Sequence, residues 1–466
     1  MMACNGDRLT PVAVFFGAEG FTGLTAGHAT FRLSPIAISR AAYLLLRIPV
    51  LLASRAAMNS SSFDCRPFAR RISRCLVMPL IVVCLAAEVR GTESQESAAT
   101  VTPEGAWIPF GDTTSNGTDG QINALIAFGG NVYAGGSFAH VGSVAANHIA
   151  RWDGNAWSSL GSDAQNGVDD IVYALATDGS NLYVGGQFQN AGGASARCIA
   201  KWDGAAWSAL GTGVGAPASN SAVNGLAIFN DALYAVGMFN QAGGVFPLKN
   251  VAAYDLGAST WGDVGGGVNT TAKSVIAFQG VVYVGGQFTS AGPGGSVSTK
   301  FIAGWNGANW SAVSGGTDGE VDAMAGIGSS LYAGGGFAHA NGTSTLVHHI
   351  ARFNGAWSAM GTGMSTDSGN TVRALAAVGS VLYVGGTFTS ANGIATTNTA
   401  QWDGSTWASV GSGAENGVDG TVFALSPFAG DVMVGGAFAH AGTQSSANIA
   451  AWRSDIIFSD GFDGLP

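Results

Sequence analysis

Positive charge is scarce in this chain, and so is cysteine beyond its first fifth. From Thr92 onward nine Lys and Arg stand against 25 Asp and Glu, which leaves that stretch at about −16. A basic face for a nucleic-acid partner is thereby excluded. Four of the five cysteines precede residue 92, so a chain processed there keeps Cys198 alone and has no internal disulfide. No helical stretch of ten residues interrupts the pattern after residue 105. Three enzyme signatures are also missing: the Gly-x-Ser-x-Gly elbow, the His-Glu-x-x-His zinc motif and the Walker loop.

What the chain has in abundance is glycine, 72 residues of it, in a fixed rhythm. A Gly-Gly-x-Phe tetrad ends at Phe138, Phe188, Phe288, Phe337, Phe388 and Phe438, and a drifted copy reads Val236-Gly237-Met238-Phe239. Successive marker phenylalanines lie 50, 51, 49, 49, 51 and 50 positions apart. So regular a period means one supersecondary unit stacked seven times. In the second copy the apolar runs Ile171–Ala176, Leu182–Phe188, Cys198–Trp202 and Ala206–Leu210 are separated by Gly, Asn and Asp turns. Short runs of this kind read as strands. Four antiparallel strands at this period make a propeller blade, so the expected fold is an all-β, seven-bladed β-propeller over residues 106–453.

The Gly doublet removes two Cβ atoms, which lets neighbouring backbone or a large aromatic approach closely. All twelve Trp residues lie in the repeat region, several as pairs such as Trp152/Trp157 and Trp402/Trp407. Their expected place is the packing between blades, where each buried ring contributes roughly 2–3 kcal/mol. The ends of the array fix its closure. Trp107 precedes the first complete repeat, whereas the last repeat has no second Trp after Trp452. The strand Ala106–Phe110 is therefore expected to be the fourth strand of the last blade, closing the ring and removing exposed sheet edges.

With its Gly-Gly doublet after an apolar strand, then a Tyr or Trp, then a second Trp, the unit resembles a kelch-type β-propeller repeat, like that of the galactose-oxidase central domain. The third copy, Tyr254 to Trp261, comes nearest; the others shorten the turn, as in Trp152-Asp153-Gly154-Asn155-Ala156-Trp157. The variant with an Ile-Ala-x-Trp-Asp-Gly signature is similar to repeats of bacterial secreted propellers. This resemblance implies a fold and no particular chemistry, since propellers host enzymes, adhesins and scaffolds alike. The copper site of galactose oxidase needs a Cys–Tyr cofactor, which Cys198, on a third strand, does not match.

Outside the repeats, Met58 opens a secretory-signal pattern: Arg66, Arg70, Arg71 and Arg74, then an apolar run of 13 residues, Cys75–Ala87. Thirteen residues are short for a bilayer span, so cleavage between about Ala87 and Gly91 is expected, giving an exported, secreted or periplasmic protein with no transmembrane segment in the mature chain. Residues 1–57 read as an upstream mis-start or a leader, 58–91 as the signal, 92–105 as a linker and 454–466 as a C-terminal tail.

Acidic residues recur at one register on the loops that precede the first strands: Asp119, Asp169, Asp318 and Asp419. Two readings of these residues stand side by side. They are turn-formers beside Asn-Gly and Asp-Gly pairs, or they are a rim that binds a ligand or a cation, with Ca²⁺ the ion that oxygen clusters suit. Histidines also recur, His140, His339 and His440 after Phe-Ala and His148, His348 and His349 before Ile-Ala, and the expectation is solvated loop histidine. Cys198 takes an Asn- or His-like position at the start of its strand and is expected to be a partly buried neutral thiol. The leading functional expectation is a non-enzymatic, monomeric binding or surface-interaction module for a protein or glycan. A secreted glycan-active enzyme using the four aspartates, or a structural envelope component, is the alternative.

Overall fold

The computed structural model describes residues 105–110, 116–162, 165–216 and 219–454, all of which fall in one compact unit, Gln95–Pro466. The leader, the signal segment, the linker up to residue 104 and the tail from residue 455 lie outside the described residues. No helix among the described residues is long and apolar enough to cross a membrane.

Seven four-stranded antiparallel sheets form the ring, one per repeat. The first blade takes its strands in chain order from Ile122–Phe128, Asn131–Gly136, Ile149–Trp152 and Trp157–Ser159. The next five follow the same order, and the seventh is composite. Its first three strands are Thr421–Phe428, Asp431–Ala437 and Ile449–Ser454, and its fourth is Gly105–Pro109. Trp107 stands opposite Trp452, as the position of the missing second Trp requires.

Local chemistry explains the strand ends. In the third-to-fourth strand turn of the first blade, Asp153 Oδ1 accepts the N–H groups of Asn155 and Ala156, both at 2.9 Å, and Gly154 adopts φ 99°. The residue that opens each third strand is left-handed in all seven blades: His148, Cys198, Asn250, Phe301, His349, Asn398 and Asn448 have φ between 59° and 70°. Asparagine tolerates that region best among non-glycines, and here it also stitches blades together. Asn448 Nδ2 donates to Thr118 O of the first blade at 2.9 Å, across the closure of the ring. Cys198 fills the same place with a thiol that donates to Ser221 O at 3.2 Å. It is fully buried rather than partly, and burial pushes its pKa up to about 12.

The core is divided among seven seams, each built from two adjacent blades. The Gly doublet serves these seams. A Cβ on Gly135 would run into Val172 Cγ1 of the next blade, and one on Gly385 into Val422 Cγ1. The second glycine faces its own first strand: a Cβ on Gly136 would meet Gln121 O. The close neighbour is therefore a β-branched side chain and backbone rather than an aromatic ring. The aromatic residues pair across the third and fourth strands instead, with ring centroids 5.1 to 5.5 Å apart in all seven blades. The fourth-strand Trp then reaches the preceding blade through its indole N–H. Trp261 donates to Leu210 O at 2.9 Å and Trp310 to Val264 O at 2.8 Å, and four more blades repeat the link.

Candidate functional site

Two sets of polar side chains emerge from this frame: the aspartate register on the loops and a ring around the central channel.

The loop face is organised by bridges. In every blade the segment before the first strand pairs with the loop between second and third strands, as Thr118 does with Val141 and Val418 with Ala441. The four aspartates sit on these segments, one to a blade. Asp119 Oδ1 accepts the N–H groups of Ala139 and His140 at 2.8 and 2.9 Å, and its Oδ2 lies 2.9 Å from His140 Nδ1. Asp318 and Asp419 repeat the arrangement with His339 and His440, the ring nitrogens at 2.7 Å. Asp169 holds the N–H groups of Gln189 and Asn190 at 2.8 Å, with the Asn190 amide in place of the imidazole. Each carboxylate thus clamps the loop of its own blade, and each loop histidine of the Phe-Ala set has a carboxylate partner. Burial works upward on Asp119, Asp318 and Asp419, but the backbone N–H groups and the facing histidine outweigh it and hold all three below the usual carboxylate range. A carboxyl held there accepts hydrogen bonds at neutral pH and is a poor proton donor. No group of three or more His, Cys, Asp or Glu among the described residues is placed to hold a metal ion.

The second set was not apparent from residue types alone. Every first strand carries a β-bulge at one position, the step between Ile122 and Ala124 in the first blade and its equivalents elsewhere. A bulge adds an unpaired residue and re-aims its side chain. The seven bulge residues are Asn123, Tyr173, Asn224, Lys273, Asp322, Arg373 and Phe423, and all line one central cavity of about 220 Å³. The residue before each is Val, Ile or Ala, and the one after is Ala, Gly or Ser. The bulge position varies through amide, phenol, ammonium, carboxylate, guanidinium and phenyl. Each lies 15 positions before the marker Phe, so the seven fall in one column of the repeat.

Within the channel most polar groups are engaged. Asn123 Nδ2 donates to Val172 O at 3.0 Å and Asn224 Nδ2 to Ala272 O at 2.9 Å, each reaching the next blade. Lys273 Nζ lies 2.8 Å from Glu320 Oε2 and 2.9 Å from Asp322 Oδ1. Gln287 Nε2 donates to the same Glu320 oxygen at 2.7 Å, and the Thr371 hydroxyl donates to Asp322 Oδ2 at 3.4 Å. Burial pushes the Asp322 carboxyl up, against the pull of Lys273. Burial alone would lower Lys273, but its two carboxylate partners outweigh it and hold the ammonium protonated. Glu320 is pushed up by burial and brought below its ordinary value by Lys273 and Gln287. Arg373 differs: it is exposed, its Cζ lies 5.7 Å from the Phe423 ring centroid, and it makes no ion pair within 4.0 Å among the described residues.

No protein-family model matches the chain, and no curated protein matches it. Solved structures do. One is the extracellular domain of BT4673 from B. thetaiotaomicron, at 11% identity and TM-score 0.46; the match covers 75% of this chain and 40% of that one. A chain of a mitotic checkpoint complex matches at 14% identity and TM-score 0.46, covering 80% of this chain and 99% of that one. The computationally designed Ika8 protein matches at 12% identity and TM-score 0.40, covering 72% and 97%. The chain thus spans less than half the length of the first of these. What establishes the seven-bladed β-propeller is the strand pairing itself.

Proposed function

We propose that this protein is an exported, non-catalytic binding module of the kelch-like kind, whose ligand is a small molecule or chain end seated at the central channel. One observation carries this reading. Six of the seven repeats keep the first glycine of the doublet where blades pack, and the seven differ in chemistry at the bulge position that faces the channel. Architecture accounts for part of this variation, since Asn123 and Asn224 bond the next blade and Lys273 pairs with Asp322 of the next, but Tyr173, Arg373 and Phe423 make no hydrogen bond or ion pair to a neighbouring blade among the described residues. A ligand contacted by several blades at once accounts for the rest, since each blade meets a different part of the same molecule.

Catalysis is the weaker reading. The carboxylates of the loop face clamp backbone, and Glu320 and Asp322 share one ammonium rather than standing apart as acid and base. The test is a thermal-shift and turnover panel of sugars, organic acids and short peptides on the native protein and on Tyr173→Ala and Asn224→Ala variants. Binding lost in the variants, with no turnover, is the expected outcome. Turnover abolished by Asp→Asn changes on the loop face would replace the reading with the enzymatic one. Export is tested separately: expression from Met58 should yield a mature N-terminus between about Ala87 and Gly91 on sequencing, and a mature protein retaining residues 1–57 would refute it.

A further inference from the structure

Of the four charged side chains at or beside the channel, three are in direct contact, one ammonium between two carboxylates. Lys273 sits between Glu320 and Asp322, with both oxygens inside 3 Å. Arg373, one blade further round the ring, has no such contact. Its charge acts downward on both carboxyls at longer range, but its five N–H donors have no hydrogen-bonded acceptor among the described residues. A guanidinium that presents a free fork of donors matches a carboxylate, which takes two of them at once. Phe423, from the next blade, lies against the guanidinium and leaves an apolar surface beside it.

Other donors near the channel cannot take the same part. The amide groups of Asn123 and Asn224 are committed to backbone carbonyls of the following blades, and the Tyr173 hydroxyl donates to Gln187 Oε1 at 3.3 Å. Arg373 is therefore the group with unused donors and full charge, placed at the same cavity as two aromatic rings.

Building on the proposed channel site, we infer that it selects an organic carboxylate, its carboxyl group held by Arg373 and its body packed against Phe423. The shared chemistry is the carboxylate; an aromatic acid and an acidic sugar are its two sources.

Calorimetric titration of the full exported protein with benzoate and D-glucuronate, each paired with a neutral counterpart (benzamide, D-glucose), separates them. At least one acid should bind about tenfold or more tightly than its neutral counterpart, and less tightly as salt rises. Arg373→Gln should remove that preference while leaving the melting temperature unchanged, because the side chain is exposed. Arg373→Lys should restore part of it, and Phe423→Leu should weaken the preferred acid without altering the charge preference. Equal binding of acids and neutral counterparts, or acid binding unchanged in Arg373→Gln, overturns the inference. If neutral probes bind and the Tyr173→Ala or Phe423→Leu variants lose them, the channel reading stands and the carboxylate falls. Binding indifferent to every channel substitution, or no binding by any probe, overturns both.

Discussion

Blade three holds the most instructive residues. Where the other blades have the first glycine of the doublet, it has Val236, and two neighbours change to suit. The cross-strand partner, Ala or Ser elsewhere, is Gly225, on which a Cβ would approach Val236 Cγ2 to 2.9 Å. The first-strand residue of the following blade, Val or Ile elsewhere, is Ala272, in the same core seam as Val236. The knob has moved from one side of the seam to the other, and total volume is kept. Val236→Gly alone should cost about 2–4 kcal/mol, through lost burial and the cavity it leaves. Adding Ala272→Val should recover at least about 1 kcal/mol, a coupling that a double-mutant cycle in denaturant melts would measure. Additive effects would show that the seam does not join these positions. At an ordinary blade the converse applies: Gly385→Ala drives a Cβ into Val422 and should cost about 1–3 kcal/mol by overpacking.

At the scale of elements, two devices hold neighbouring segments together. The indole link is made by six of the seven fourth strands; Trp261→Phe removes one donor from Leu210 O, which keeps the Gly213 N–H at 3.1 Å, so it should destabilise by about 0.5–1.5 kcal/mol beyond its small loss of area. Trp157 is the natural contrast, because its Nε1 finds no partner among the described residues. Trp157→Phe should cost measurably less, and equal costs would remove the link from the account. The aspartate clamp makes a prediction about pH. The folded-state carboxyls of Asp119, Asp318 and Asp419 lie below their ordinary values, so they add stability above the unfolded pKa, about 4, and lose it as pH falls through the folded value. Asn269 holds the equivalent loop in blade four with an amide oxygen, accepting Thr289 and Ser290 N–H at 2.9 and 3.1 Å. The triple Asp→Asn variant should therefore still fold, and its melting temperature should fall less steeply than the native one below about pH 4. Parallel slopes would rule the clamp out as a source of acid sensitivity.

The whole molecule depends on a contact between residues some 340 positions apart. Removing Gly105–Phe110 leaves the seventh blade with three strands and an open edge, and it takes away the buried rings of Trp107 and Phe110. The lost burial of Trp107 alone amounts to about 2–3 kcal/mol, with the lost ladder added. A chain deleted through Phe110 should aggregate or melt early, whereas one trimmed only to Pro103 should match the native stability in denaturant melts. Equal stability of the two truncations would refute closure by this strand. Closure also gives the channel its meaning, because a ring brings seven inner strands to one axis, whereas an open array would leave the bulge residues apart.

By itself the sequence determined the blade count, the strand order and the composite last blade. Those follow from period and composition: Phe markers about 50 residues apart, turns at Asp-Gly, and an unmatched Trp at each end. Such signals are local or repeat regularly, so they survive in one dimension. The sequence also marked Asp119, Asp169, Asp318 and Asp419, but only folding shows each of them clamping the loop of its own blade. The channel ring lay hidden for the opposite reason. Asn123, Tyr173, Asn224, Lys273, Asp322, Arg373 and Phe423 comprise six residue types, so no residue-type motif connects them. A bulge in each blade's first hairpin re-aims the side chain, and ring closure, a pairing of strands some 340 positions apart, gathers the seven around one axis. Residue identity prescribes how each blade is built; which side chains face one another across the axis is a property of the closed ring.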